Sequence, residues 1–215
     1  MRTRYPQAHW DPIAPWATTG GMTDLKNLKV VWHTTQGWTY PRSTYAATGG
    51  IPHFTIDRDG KVYQHYLLNQ FSRALLNLPG GVQTNLDGAI QIEIVGFAGK
   101  ETTRAQRKSI RRLSAWLTAQ GVPGRWMNGA PTKRKHDREG QVKLSMTQWD
   151  DGSGHCGHSD VPENNHWDPA FVWATVRAVQ GGWKQRDAKI KARIDKLRDR
   201  VRKIRARIKT LRGKR

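Results

Sequence analysis

From Ile190 to Leu211 the residues Ile190, Ile194, Leu197, Val201, Ile204, Ile208 and Leu211 are spaced 4, 3, 4, 3, 4, 3. That alternation puts all seven on one stripe of an α-helix and on no face of a strand, which commits the end of the chain to helix. With Ile194, Val201 and Ile208 at the a positions of a heptad, Ile190, Leu197, Ile204 and Leu211 fall at d. The flanks are then Lys191, Arg198, Arg205 and Arg212 at e, and Arg193, Arg200 and Arg207 at g. A parallel homodimer would oppose like charges in every heptad, so self-pairing is disfavoured and a monomer is expected. An apolar stripe walled by cations is the pattern of an interfacial amphipathic helix, roughly 40 Å long at 1.5 Å per residue. The plainer reading is a solvated helix that packs back on its own domain.

The tail also locates the charge. The 215 residues carry a net charge of +20. Residues 184–215 hold 16 Lys or Arg against Asp187, Asp195 and Asp199, a net +13 that leaves +7 for everything before them. A polyanionic partner is expected, with nucleic acid, anionic lipid and bacterial wall polymers all qualifying. Cys156 is the only cysteine, so no intramolecular disulfide framework is available. The opening MRTRYPQAHWDPIAPW lacks the apolar segment of a signal peptide, and the expectation is a protein made in the cytoplasm without a Sec route out.

Upstream of the tail the patterning changes to short strands. Residues 1–28 are punctuated by Pro and Gly and read as an irregular lead-in. LKVVWH (28–33) reads as a buried strand, and PHFTIDRDGKVYQHY (52–66) as a hairpin turning at Asp59-Gly60. AIQIEIVGF (89–97) predicts a strand with Ile90, Ile92 and Ile94 on one face and Gln91, Glu93 and Val95 on the other. Residues 102–121 predict a helix through Ile110, Leu113 and Leu117, stopped by Gly121. Residues 122–168 read as loop-rich, with many Gly, His and Asp. A second helix is expected over FVWATVRAV, with Asp168 as its N-cap and Pro169 in its first turn, and Gly181-Gly182 reads as a hinge. The expected class is α/β, a mixed central sheet flanked by helices, with a domain over 1–182 and a basic helical tail over 183–215.

His155, His158 and His166 crowd into GHCGHSDVPENNHWDP together with Cys156, Asp160 and Asp168. By composition alone this is either a metal site or a solvated polar loop. His33 ends the apolar strand at 28–33, the place where an α/β sheet presents functional groups, although a histidine satisfied at a strand end fits equally well.

In order, VVWHTT, HFTIDRDGKVYQ, NLDGAIQIEIVG and GHSDVPENNHWDP resemble the zinc-dependent N-acetylmuramoyl-L-alanine amidases of type 2. These are relatives of the peptidoglycan recognition proteins and are common as phage endolysins. The resemblance runs from about residue 28 to 170, and its most specific element is Gly-His-Ser-Asp-Val-Pro with an Asp-Pro ten residues after the His. It implies bacterial peptidoglycan as substrate, cleavage between N-acetylmuramic acid and L-alanine, and action on the wall after release from the host cytoplasm. It implies Zn2+ held by His33, His158 and Asp168, a donor set that leaves a fourth tetrahedral position for water. His155 and Cys156 are rival ligands that do not match the family's third-ligand position.

Glu93 matches the family's acidic residue and is implied as general base or acid. His166 stands two residues before the third ligand, where many members carry Lys, and protonated it would serve as the oxyanion donor. Pro52 stands where some members carry a catalytic Tyr. Asn85, Thr34, His53 and Arg73 fall where the family lines its groove or supports its ligands, and Trp167 is the Trp expected to meet substrate. Competing readings are a non-catalytic peptidoglycan-binding module, which the complete ligand set disfavours, and a stem-peptide endopeptidase using the same zinc site. A nucleic-acid binder driven by the tail is a third, and no specific nucleic acid is expected.

Overall fold

The computed structural model describes residues 2–81, 83–132 and 143–212, with the side chains of 185, 186, 189, 206 and 209–212 outside that description. Six strands form one mixed sheet in the order β1-β4-β3-β5-β2-β6. They are β1 (His9–Trp10), β2 (Lys29–Thr34), β3 (Phe54–Ile56), β4 (Val62–Gln64), β5 (Ala89–Ile94) and β6 (Gly154–Gly157). β3, β5, β2 and β6 run parallel to one another, and β3 pairs antiparallel with β4 across the turn at Asp59-Gly60. Gly60 takes φ 87° there, and a Cβ on it would come within 2.8 Å of the Ala105 carbonyl oxygen, so the turn demands glycine twice over.

β2 is buried along its whole length, which is why its sequence reads as a continuous run rather than an alternation. Even Lys29 is buried, its ammonium donating to the carbonyls of Asn27 (3.2 Å) and Asp87 (3.0 Å) and lying over the Trp149 ring. Val30, Trp32, Phe54, Ile90, Ile92 and Ile94 face the main core, where they meet Ile110, Leu113 and Leu117 of α2 and Val176 and Val179 of the C-terminal helix. The helices are α1 (Arg42–Thr48), α2 (Arg104–Gln120), α3 (Met146–Asp150) and α4 (Trp173–Arg212). α2 stops at Gly121 as the sequence predicts, and it starts at Arg104 behind a cap that the sequence reading does not name. Thr103 and Gln106 bond each other's backbone amides in a capping box, and Gly121 closes the helix at φ 115°.

Three expectations are corrected. Residues 122–168 contain β6 and α3 as well as loops, because the Gly-His-Cys-Gly segment finds a ladder on β2 that its composition does not announce. α4 begins at Trp173, so Asp168 caps no helix. Gly181 and Gly182 are no hinge, since α4 runs straight through them. A Cβ on Gly182 would lie 2.6 Å from the Arg111 carbonyl oxygen and 2.7 Å from the Ala115 nitrogen, so the glycine lets the α4 and α2 backbones touch. Trp183 is still buried in the core. Beyond it α4 leaves the body, and Ile190, Ile194, Leu197, Val201, Ile204 and Ile208 are exposed by 43 to 53%. The described part of the seam therefore does not pack back on the domain; the side chains of Leu211 and Arg212 lie outside the described residues.

Candidate metal centre

The side chains that alternate with the core-facing residues of β2, β5 and β3 form a polar face. His33 pairs with Glu93, and Glu93 with Thr55, across adjacent parallel strands. Parallel strands bring their carboxyl ends to one edge, and the chain leaving β6 turns there into a short 3-10 turn, His158–Asp160. Asp168 reaches the same edge from the following loop. Its Oδ2 accepts the Thr34 amide (3.0 Å) and its carbonyl accepts the Ser159 amide (2.9 Å), which anchors it against both β2 and the turn.

His33, His158 and Asp168 are all buried and offer ligand atoms within 4.8 Å of one another. The two Nδ1 atoms are 3.0 Å apart, and His158 Nδ1 is 3.1 Å from Asp168 Oδ1. The outer side of each ring fixes its proton. His33 Nε2 lies 2.7 Å from Gln91 Oε1, and Gln91 Nε2 is turned to the Thr84 carbonyl, so the amide oxygen faces the imidazole and His33 carries its hydrogen on Nε2. His158 Nε2 faces Asn164 Oδ1 at 3.4 Å, while Asn164 Nδ2 donates to Leu76 and Pro162. Both Nδ1 atoms are thus turned inward towards each other and towards a carboxylate. A cation satisfies that arrangement, and the donor set of two imidazoles and one carboxylate suits zinc.

The electrostatics agree. Burial, reinforced by the neighbouring His158, lowers the His33 pKa to about 3, which keeps it neutral and ready to ligate. Burial would raise the Asp168 carboxyl, but hydrogen bonding to His158, the nearby imidazoles and the Thr34 amide outweigh it and hold the group ionised. Glu93 is pushed well above the usual carboxylate range by burial and then by the charge of Asp168. Its Oε2 is sealed from solvent without a hydrogen-bond partner among the described residues, an unusual condition for a carboxylate.

A cleft of about 440 Å³ opens over this edge, lined by Thr34, Tyr45, Glu93, His158, His166 and Asp168 among others. His166 stacks on His158 with ring centroids 4.2 Å apart, and its Nδ1 is 3.8 Å from Asp168 Oδ1. Burial and His158 lower its pKa from the ordinary histidine value.

Asn85 and Arg73 are elsewhere than the cleft wall. Asn85 bonds the Leu75 amide and carbonyl like a strand partner, and the Arg73 guanidinium lies over Trp16. Trp167 is 57% exposed and outside the cleft lining. His53 is buried, accepts the Gln91 amide and bonds the Gln70 carbonyl, so it braces the strand that carries Gln91 and Glu93. Of the rival ligands, Cys156 packs with Val31 and Trp149, and His155 is wedged between the indole Nε1 atoms of Trp32 and Trp183 at 3.1 Å each.

Sequence reasoning passed over three residues. Gln91 shares the His33 face two positions before Glu93, and following that face back would have found it. Asn164 gave no signal within a polar loop. Tyr45 sits in α1, whose seven residues were not read as an element. Its hydroxyl is 3.2 Å from Thr55 Oγ1, which in turn is 3.0 Å from His65 Nε2, and burial followed by the Glu93 charge raises its pKa well above 10.

Comparison with known proteins bears on both family and fold. The family profile described as N-acetylmuramoyl-L-alanine amidase matches residues 24–171. The Staphylococcus aureus hydrolase AmiA, solved in complex with its ligand, superposes with a TM-score of 0.54 at 10% identity over 83% of each chain, a likeness of fold. An AmpD derivative aligns at 16% identity and a TM-score of 0.49 over 82% of this chain and 96% of its own. The N-acetylmuramoyl-L-alanine amidase LysC from Clostridium intestinale URNW aligns at 22% identity and a TM-score of 0.42 over 54% of this chain and 77% of its own. No curated protein matches the chain in sequence.

Proposed function

The chain belongs to the N-acetylmuramoyl-L-alanine amidase family, and from that premise we propose that it is a zinc-dependent hydrolase of the amide between N-acetylmuramic acid and L-alanine in peptidoglycan. The observation that carries the reading is the pair of inward-facing Nδ1 atoms, 3.0 Å apart beside the Asp168 carboxylate, with both Nε2 positions committed to amide oxygens. Zinc held by His33, His158 and Asp168 would supply Lewis-acid activation of water and of the scissile carbonyl.

The chain's own groups divide the remaining work. Glu93, one strand across from His33, takes the proton of the attacking water and returns it to the leaving amine. His166 at the cleft rim donates its ring N–H to the oxygen that gains charge as the carbonyl is attacked. The Thr34 amide keeps Asp168 from rotating, and its side chain joins the cleft wall against substrate. Trp167, Asn85 and Arg73 act further out, Trp167 as an exposed apolar surface for the stem peptide and the other two through the loops they hold.

In this reading the protein is a monomeric phage endolysin, made in the host cytoplasm and acting on the wall after release. The region 1–182 does the chemistry, and the cationic helix of 183–215 tethers it to an anionic wall polymer or membrane surface. The exposed seam and the uniformly basic e and g positions support an acidic partner over self-pairing. The test pairs metal analysis with wall hydrolysis. His158→Ala should lose both bound zinc and amide cleavage; undiminished hydrolysis would refute the ligand assignment.

A further inference from the structure

On the side of the sheet away from the cleft, α2 and α4 enclose a groove of about 1420 Å³. Its lining is split by size and charge. Ala105, Ala174, Ala178 and Gly181 are the small residues, and all seven of the other lining residues are Lys or Arg, among them Arg104, Lys108 and Arg111 of α2 and Arg177 and Lys184 of α4. On α2 these bases follow the helical spacing opposite Ile110, Leu113 and Leu117, so the exposed face of the helix is basic as consistently as its buried face is apolar. Among the described residues Glu101 is the one acid ion-paired to this lining, 3.6 Å from Arg107 and itself largely exposed. Arg104, Lys108, Arg111, Arg177 and Lys184 make no ion pair among the described residues.

Holding this many cations around one concavity costs the folded state through mutual repulsion, and an anion lying among them relieves it. The small side chains keep the groove open, and Gly181 leaves the space across which Arg111 lies; a Cβ there would sit 2.9 Å from its Nε. The bases extend along about 12 Å of α2 at 1.5 Å per residue, enough for two or three successive phosphates of a linear chain and too long for a single ion. At its far end the groove runs into Lys184, and the same unbroken helix carries on as the basic tail.

We propose that this groove is a second, non-catalytic binding site, for a linear phosphodiester polymer of the bacterial wall. The charge pattern suits a repeating phosphate; the choice of a wall polymer rests on the amidase reading above, because the cleft on the opposite face of the sheet would then meet peptidoglycan carrying such a polymer. The site holds the enzyme by its back while the cleft stays open to the glycan.

The test uses the full chain and poly(glycerol phosphate) as probe. Lys108→Gln/Arg111→Gln/Arg177→Gln should weaken binding at least tenfold. The charge-matched control Lys26→Gln/Lys61→Gln/Lys100→Gln, three exposed bases outside the groove, should change it less than threefold. Equal loss in the two variants would reduce the site to net charge and overturn it. Tighter binding of duplex DNA than of the polymer at equal phosphate would overturn the choice of partner in favour of nucleic acid. Walls stripped of phosphate polymer separate the two readings: the groove variant should hydrolyse them at the wild-type rate, which also reports that it folds. If wild type leaves stripped walls intact yet binds the polymer through the groove, the amidase reading fails and the groove survives.

Discussion

At the scale of single residues, the centre depends on protons placed outside it. Gln91 and Asn164 touch no reacting atom in this account, yet they face Nε2 of His33 and His158 and so orient both rings with Nδ1 towards the centre. Gln91→Leu should lower zinc affinity roughly 10- to 100-fold while leaving the fold intact, as measured by competition with a chromophoric chelator. Unchanged affinity would mean that the amide does not set the tautomer. Glu93→Gln should keep zinc and lose about 10²- to 10⁴-fold in kcat, whereas a Glu93 that merely fills space would tolerate the change. The residues that carry chemistry were legible because their types are rare and their order is informative: a His at a strand end, a His and an Asp ten residues apart, and a Glu among isoleucines. Their supports were not, because an Asn or Gln acquires meaning only from the ring it faces.

Among the elements, α4 is where local propensity and tertiary packing conflict. Two adjacent glycines weaken a helix by about 1 kcal/mol each relative to alanine, which is why the sequence suggests a hinge. The crossing with α2 decides otherwise, since the backbones approach more closely than any Cβ permits. Gly182→Ala should therefore destabilise the protein by about 1–3 kcal/mol in urea despite its better helix propensity, because it meets two backbone atoms that cannot swing aside. A stabilised variant would restore the hinge. β6 was illegible for the converse reason. Gly154–Gly157 carries no β-branched residue, and its strand character comes from the ladder to β2. The strands rich in Val and Ile, and α2 with its glycine stop, were read correctly because each carries its own pattern.

Across the whole molecule, the charge and the chemistry occupy different places. The candidate metal centre is buried, whereas cations gather on the back of α2 and along α4. The interior also stores a pH dependence. Burial lowers the pKa of His53 and His65 to about 4 and that of His155 to about 3, against 6.5 unfolded. Between those values the unfolded chain binds the extra protons, so stability is complete above about pH 6.5 and falls as the pH drops. With three such groups the slope should approach about 4 kcal/mol per pH unit near pH 5, at about 1.4 per group. Urea midpoints at pH 7, 6 and 5, taken in chelator so that zinc does not contribute, measure it, and a flat profile would contradict the neutral burial of these rings.

The central claim concerns one bond, and mass spectrometry of the soluble and insoluble products of wall digestion reads that bond directly. The account predicts stem peptides that begin with a free L-alanine amine, glycan strands whose muramic acids carry free lactyl carboxylates, and no new reducing ends. Peptides cut internally, with L-alanine still joined to muramic acid, or new reducing ends, would contradict it.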